Sequence, residues 1–186
     1  MLVKAHATDF VQEFGFLLDG NRVRFMDGTV VRASRQLCLS PVRRVIARWM
    51  EREARVCCTV ADTPSQRITG LQGHAGLAVD EGMYFPYQDY MNVTFHQGSV
   101  PFGLDIVFLR DSHVVRVQAD TQVGSSDKWC CADCDGVIEV NARYCAQHGI
   151  QEDDRILLSA VSDTDLAEME QQRVADATLG AYEEAI

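Results

Sequence analysis

Four residues have the types and spacing of a metal site. Cys131-x2-Cys134 is followed, after ten further residues, by Cys145-x2-His148. Thiolate and imidazole are good zinc ligands, and two such pairs would make a closed tetrahedral set. On a helical turn, Cys145 and His148 would share a face, and the stretch 136–141 is the strand that would bring the pairs together. Cys130 is a substitute ligand. The ordinary alternative is free buried thiols with a surface histidine. The expectation is no cofactor, with zinc as the alternative. Redox chemistry fits the residues less well. No apolar helix follows the CxxC, and Asp133 and Asp135 would make its thiolates scarcer.

Other chemistries lack their residues. The chain has no G-x-S-x-G, no H-E-x-x-H and no phosphate-loop Lys-Ser/Thr. Gly70, Gly73 and Gly76 are spaced like a phosphate loop, but no long helix follows, and they read as a turn. His96 and His113 fall in or beside strands and read as ordinary sheet residues.

The elements that must position these residues follow from periodicity. Phe10, Phe14, Leu17 and Leu18 are spaced like one helical face within residues 1–20. Residues 21–33 read as a hairpin about Asp27-Gly28. Ser40-Pro41 has the form of a helix start, with Val42, Val45, Ile46 and Trp49 as the apolar stripe and Arg43, Arg44, Arg48, Arg52 and Arg55 on the remaining surface. Seven β-rich runs follow: 56–61, 83–87, 90–95, 104–109, 114–119, 137–141 and 156–160. Asp111-Ser112 sits at a hairpin turn, and seven strands at this spacing suggest a barrel or sandwich. Residues 142–149 read as a helical turn ended by Gly149, and 163–184 as an acidic helix with a broken apolar stripe.

The order of motifs across 56–160 resembles a family known as domain of unknown function 192. Val60-Ala-Asp-Thr-Pro-Ser-Gln-Arg67, Gly70-Leu71 and Gly82-Met83-Tyr84-Phe85 resemble its opening. Phe95-His-Gln-Gly-Ser-Val100 with Gly103-Leu104-Asp105-Ile-Val-Phe108 resembles its centre. Glu139-Val-Asn141-Ala142, His148-Gly149-Ile150 and Asp154-Arg155-Ile156 resemble its close. The resemblance implies a compact, mostly β domain, barrel-like or jelly-roll-like, and no established activity. This chain carries Gly103 where the family has Pro, Arg143 where it has Gly, and Gln97 where it has Met.

Within these signatures, Asp105 alternates with Leu104 and Ile106, and Glu139 with Ile138 and Val140. Asp105 and Glu139 would line one polar pocket with Asn141 nearby, binding a cation or a small molecule or doing acid–base work. The scaffold alternative is hydrogen bonding to strand ends. No companion nucleophile accompanies them.

The fold class expected is therefore mainly β: an extension at 1–55, a barrel-like domain at 56–160 and an acidic tail at 161–186. Charge is divided the same way. The formal net charge of −10 combines +4 over residues 1–58 with −14 over 59–186, of which −8 lies in 152–186. A basic head and an acidic tail, with Glu168, Glu170, Glu183 and Glu184, would meet head to tail in a non-enzymatic structural or interaction protein. Its partners would be copies of itself or other protein subunits, as in a bacteriophage particle. Nucleic acid is disfavoured by the acidity and by the lack of a reading motif. No apolar run reaches membrane-spanning length, and no apolar signal segment opens the chain. The expectation is a cytoplasmic or particle-associated protein.

Overall fold

The computed structural model describes residues 43–161 throughout, the backbone of five strands before them, and Ala167 and Gln171, both helical. The five strands are β1 (Leu2–His6), β2 (Glu13–Leu17), β3 (Arg22–Phe25), β4 (Val30–Arg32) and β5 (Cys38–Pro41), forming a sheet in the order β4-β3-β2-β1-β5. The expected hairpin is β3–β4, with Val23 opposite Val31; its Asp27-Gly28 turn lies outside the described residues. The helical face expected in 1–20 is not formed. Phe14 and Leu17 lie in β2, which pairs with β1 and β3, while Phe10 and Leu18 lie outside the described residues.

The second sheet has seven strands: β6 (Arg44–Trp49), β7 (Ala54–Val60), β8 (Glu81–His96), β9 (Leu104–Arg110), β10 (His113–Gln118), β11 (Lys128–Asn141) and β12 (Ile156–Ala160), in the order β10-β9-β11-β8-β7-β6-β12. It curls into a half-barrel. Every pairing is antiparallel except β7–β8, whose crossover contains the short helix α1 (Pro64–Thr69). The two edge strands approach at one end. Ile156 N donates to Ser112 O at 2.8 Å, and Val114 N donates to Asp154 O at 2.9 Å.

The helix expected from Ser40-Pro41 is instead strand β5, the hairpin β6–β7 and the turn between β6 and β7. Ser40 and Pro41 pair with Lys4 and Val3. The same apolar residues also satisfy a period of two: Val45, Ala47 and Trp49 are buried on one face, and Arg44 and Arg48 are exposed on the other. Ile46 disguised this alternation, because it is buried on the second face against Cys57 and Val161. The sheet thus begins at Arg44 rather than at residue 56.

Both faces of the sheet carry a core. All seven strands contribute to the first, which packs Trp49, Tyr84, Ile138 and Ile156 around Tyr144 and Cys145 of α2 (Tyr144–His148). The second packs Phe85, Phe108 and Val137 under Leu71 and Val100 from the loops. The Asp111-Ser112 hairpin forms as expected, with both residues at positive φ, 50° and 63°. Helix α2 ends as expected at Gly149, at φ 65°. Among the described residues no helix is long and apolar enough to cross a membrane.

Candidate functional site

The second face carries a cleft of about 360 Å³ between α1 and the sheet. Thr63 caps α1: its hydroxyl accepts from Gln66 N at 3.3 Å, and Gln66 Oε1 accepts from Thr63 N at 3.1 Å. Pro64 follows at the first helical turn, where its missing N–H costs nothing. Arg67 ties the helix to the sheet. Its Nη1 donates to Pro86 O at 3.0 Å, and its guanidinium lies 5.4 Å from the centre of the Tyr87 ring. The floor is apolar: Leu71 and Phe85 are each 1% exposed, and Phe95 stands edge-on to Phe85 at 5.0 Å.

One carboxyl is sunk into this lining. Glu139 is 5% exposed, and no hydrogen bond or ion pair to its carboxyl occurs among the described residues. Burial pushes that carboxyl up to about 8, so it is mostly protonated at neutral pH. Tyr87 is pushed up to about 12, by burial first, with Arg67 opposing the shift and Cys134 and Glu139 adding to it. Gln97 fixes the far wall. Its amide donates to Phe102 O at 2.6 Å, and its oxygen accepts from Thr121 Oγ1 at 2.6 Å.

Asp105 does not share this cleft. In the β9–β11 pairing Val140 stands opposite Asp105 and Ile106 opposite Glu139. Directly paired residues point the same way and neighbours alternate, so the two carboxylates occupy opposite faces. Asp105 is fully buried and satisfied: Oδ1 accepts from Asp120 N at 2.7 Å and Arg143 N at 3.0 Å, and Oδ2 accepts from Cys145 N at 2.8 Å. It anchors the start of α2. Asn141 does lie on Glu139's face, but its amide donates to Ala78 O at 2.8 Å and pins that loop. Of the three expected pocket residues, Glu139 alone lines the cleft.

The expected zinc set is not assembled either. Cys134 is buried in the second core with Cys131 beside it, whereas Cys145 belongs to the first, across the sheet. The His148 ring packs on Tyr144, 4.3 Å between centres. Bulges in β11 around Cys131 and Cys134 put both thiols on one acceptor, Ala132 O, at 3.7 and 3.6 Å. Among the described residues, no three His, Cys, Asp or Glu side chains are grouped to hold a metal ion. None of Cys57, Cys58, Cys130, Cys131, Cys134 and Cys145 is in a disulfide.

Of the arginines expected to face a partner, Arg43, Arg44, Arg48 and Arg55 are exposed on or beside the β6–β7 hairpin. Arg52 is engaged within the chain. It pairs with the buried Asp154 through two hydrogen bonds of 2.9 and 3.0 Å and holds that carboxyl below its usual range. Glu168, Glu170, Glu183 and Glu184 lie outside the described residues. Sequence reasoning missed Arg67, Tyr87 and the α1 wall, although Thr63-Pro64-x-Gln66 carries a capping-box signal.

Fold and site together define a mainly β, curled seven-stranded domain with a cleft beneath its crossover helix. Residues 46–158 match the domain of unknown function 192 family, described as "Uncharacterized ACR". The chain belongs to that family. Two solved structures share the fold. One is a candidate transcription regulator from Sinorhizobium meliloti 1021, 24% identical, covering 62% of this chain and 92% of the other at a TM-score of 0.58. The second is a protein of unknown function from Novosphingobium aromaticivorans DSM 12444, 22% identical, covering 62% and 84% at a TM-score of 0.56. No curated protein matches the chain.

Proposed function

We propose that the domain is a small-molecule-binding module whose ligand occupies the cleft between α1 and the sheet. The observation that carries this reading is Glu139. Burying a carboxyl without a partner costs stability, and such a group on the wall of an aromatic-lined cleft is what a ligand site requires. The smaller hollow on the other side of α1, about 190 Å³, is lined by no titratable group. A fragment screen by ligand-observed NMR tests the reading. Ile68 of α1 lines the cleft and is exposed, and Ile68→Trp adds bulk at its rim. Fragments should bind the wild type and bind more weakly to I68W; hits indifferent to I68W contradict the reading.

A second reading is association through charged surfaces, as a subunit of a larger assembly such as a bacteriophage particle. It is supported by Arg48 and Arg55, both exposed and directly opposite each other in the β6–β7 pairing. Exposed positive charge on this hairpin complements an acidic partner surface. Sizing at low and high salt tests it: a salt-sensitive oligomer is expected, and a monomer at both contradicts it.

A further inference from the structure

We propose that the ligand of the cleft is an organic amine with an aromatic or aliphatic body, its ammonium paired with Glu139 and its body against Phe85, Phe95 and Leu71. This inference rests on the binding reading above.

Three observations converge on it. The Glu139 carboxyl is nine-tenths buried, has no partner among the described residues and lines the cleft. A cation supplies both the missing hydrogen-bond donors and the compensating charge, which a neutral ligand does not. The surrounding lining suits the rest of such a molecule, because aromatic rings attract cations as well as apolar groups. The chain's net charge of −10 also favours the approach of a cation.

Arg67 is the group that would oppose an ammonium. Its guanidinium is turned onto the Tyr87 ring and bonded to Pro86 O, and the shift at Glu139 arises from burial alone. The other titratable groups lining the cleft are Tyr87 and His96 of β8, and Cys134 of β11 stands near Tyr87. Tyr87 and Cys134 are both pushed up to about 12 and stay neutral through the working range.

The protonation balance follows. The amine enters as its ammonium and keeps its proton. Glu139 enters mostly as the acid and releases one proton to water. Affinity therefore rises with pH as Glu139 ionises, until the amine itself deprotonates.

The matched probes 2-phenylethylamine and 2-phenylethanol test this by NMR titration. The wild type should prefer the amine by about tenfold or more near pH 8, and Glu139→Gln should bring the two within about twofold. Amine affinity should rise about 50-fold from pH 6 to pH 8 in the wild type. It should stay flat in E139Q and rise unchanged in His96→Gln. Amide spectra verify the fold of each variant, and the amine–alcohol comparison in the wild type needs no variant. Equal binding of both probes, weakened in I68W, overturns the amine inference and leaves the cleft reading standing. Binding of neither probe to the wild type at millimolar concentration overturns both. An amine preference surviving in E139Q, or a pH response abolished in H96Q, overturns the role of Glu139.

Discussion

Asp105 and Glu139 lie one pairing step apart on neighbouring strands and point to opposite faces of the sheet. The first accepts three backbone N–H groups and organises the start of α2. The second meets no partner among the described residues and faces the cleft. Two carboxylates in similar strands thus divide into scaffold and site.

Their substitutions should behave oppositely. Asp105→Asn turns an amide toward buried N–H donors, leaves at least one unpaired and should cost about 2–4 kcal/mol. Glu139→Gln removes a carboxyl that at pH 7 is neutral in the folded chain but ionised in the unfolded one, and should raise stability there by about 3 kcal/mol. Urea midpoints of the two variants check this.

The raised Glu139 group makes stability depend on pH in a particular direction. Below its ordinary value of 4.5 the acid is protonated whether the chain is folded or unfolded. Between that value and about 8 the unfolded chain ionises while the folded one stays neutral, so stability falls as pH rises. Above about 8 both are ionised and the loss levels off. The whole loss is on the order of 4–5 kcal/mol. The difference between wild-type and E139Q denaturation curves across this range should show it.

Arg143 stands where the family has glycine, and its φ is 71°. A left-handed residue with a side chain is strained, while its N–H to Asp105 needs only backbone. Its contact with Asp120 is long, 3.8 Å, and exposed. Arg143→Gly should therefore raise stability by about 0.5–1 kcal/mol, since glycine adopts this conformation freely. Thermal denaturation checks the sign.

Gly82 sits where three strands crowd together. A methyl group there would lie 2.7 Å from Glu139 O and 3.2 Å from Cys58 Sγ. Gly82→Ala should cost about 1–3 kcal/mol by overpacking. Because the clash falls on the backbone of Glu139, amine binding should weaken in the same variant, measured by the titration above.

Much of the β architecture was legible because its signals are local. The Asp111-Ser112 turn, the Gly149 stop and the strand at 156–160 each depend on a few neighbouring residues. The β6 strand was hidden because Ile46 is buried on the face opposite Val45 and Ala47, giving an apolar run that fits helical spacing too. The expected strands 83–87 and 90–95 are one strand, β8, interrupted by a bulge opposite Cys134–Gly136. The candidate site was legible in Glu139 and not in its surroundings. Strand β9 and the second half of β11 are buried on both faces, so alternation alone does not say which residues of the two strands share a face. Pairing register decides that, and register is a long-range property. The cysteine pairs failed for the same reason: sequence proximity does not show that a sheet runs between them.

The most direct test of the binding account is an NMR shift map of the wild-type protein titrated with 2-phenylethylamine near pH 7, including the side-chain carboxyl carbon of Glu139. The account predicts saturable shifts confined to Leu71, Phe85, Tyr87, Phe95 and their neighbours, with the Glu139 carboxyl moving to its ionised position. Shifts scattered over the acidic surface, with the Glu139 carboxyl unmoved, would contradict it.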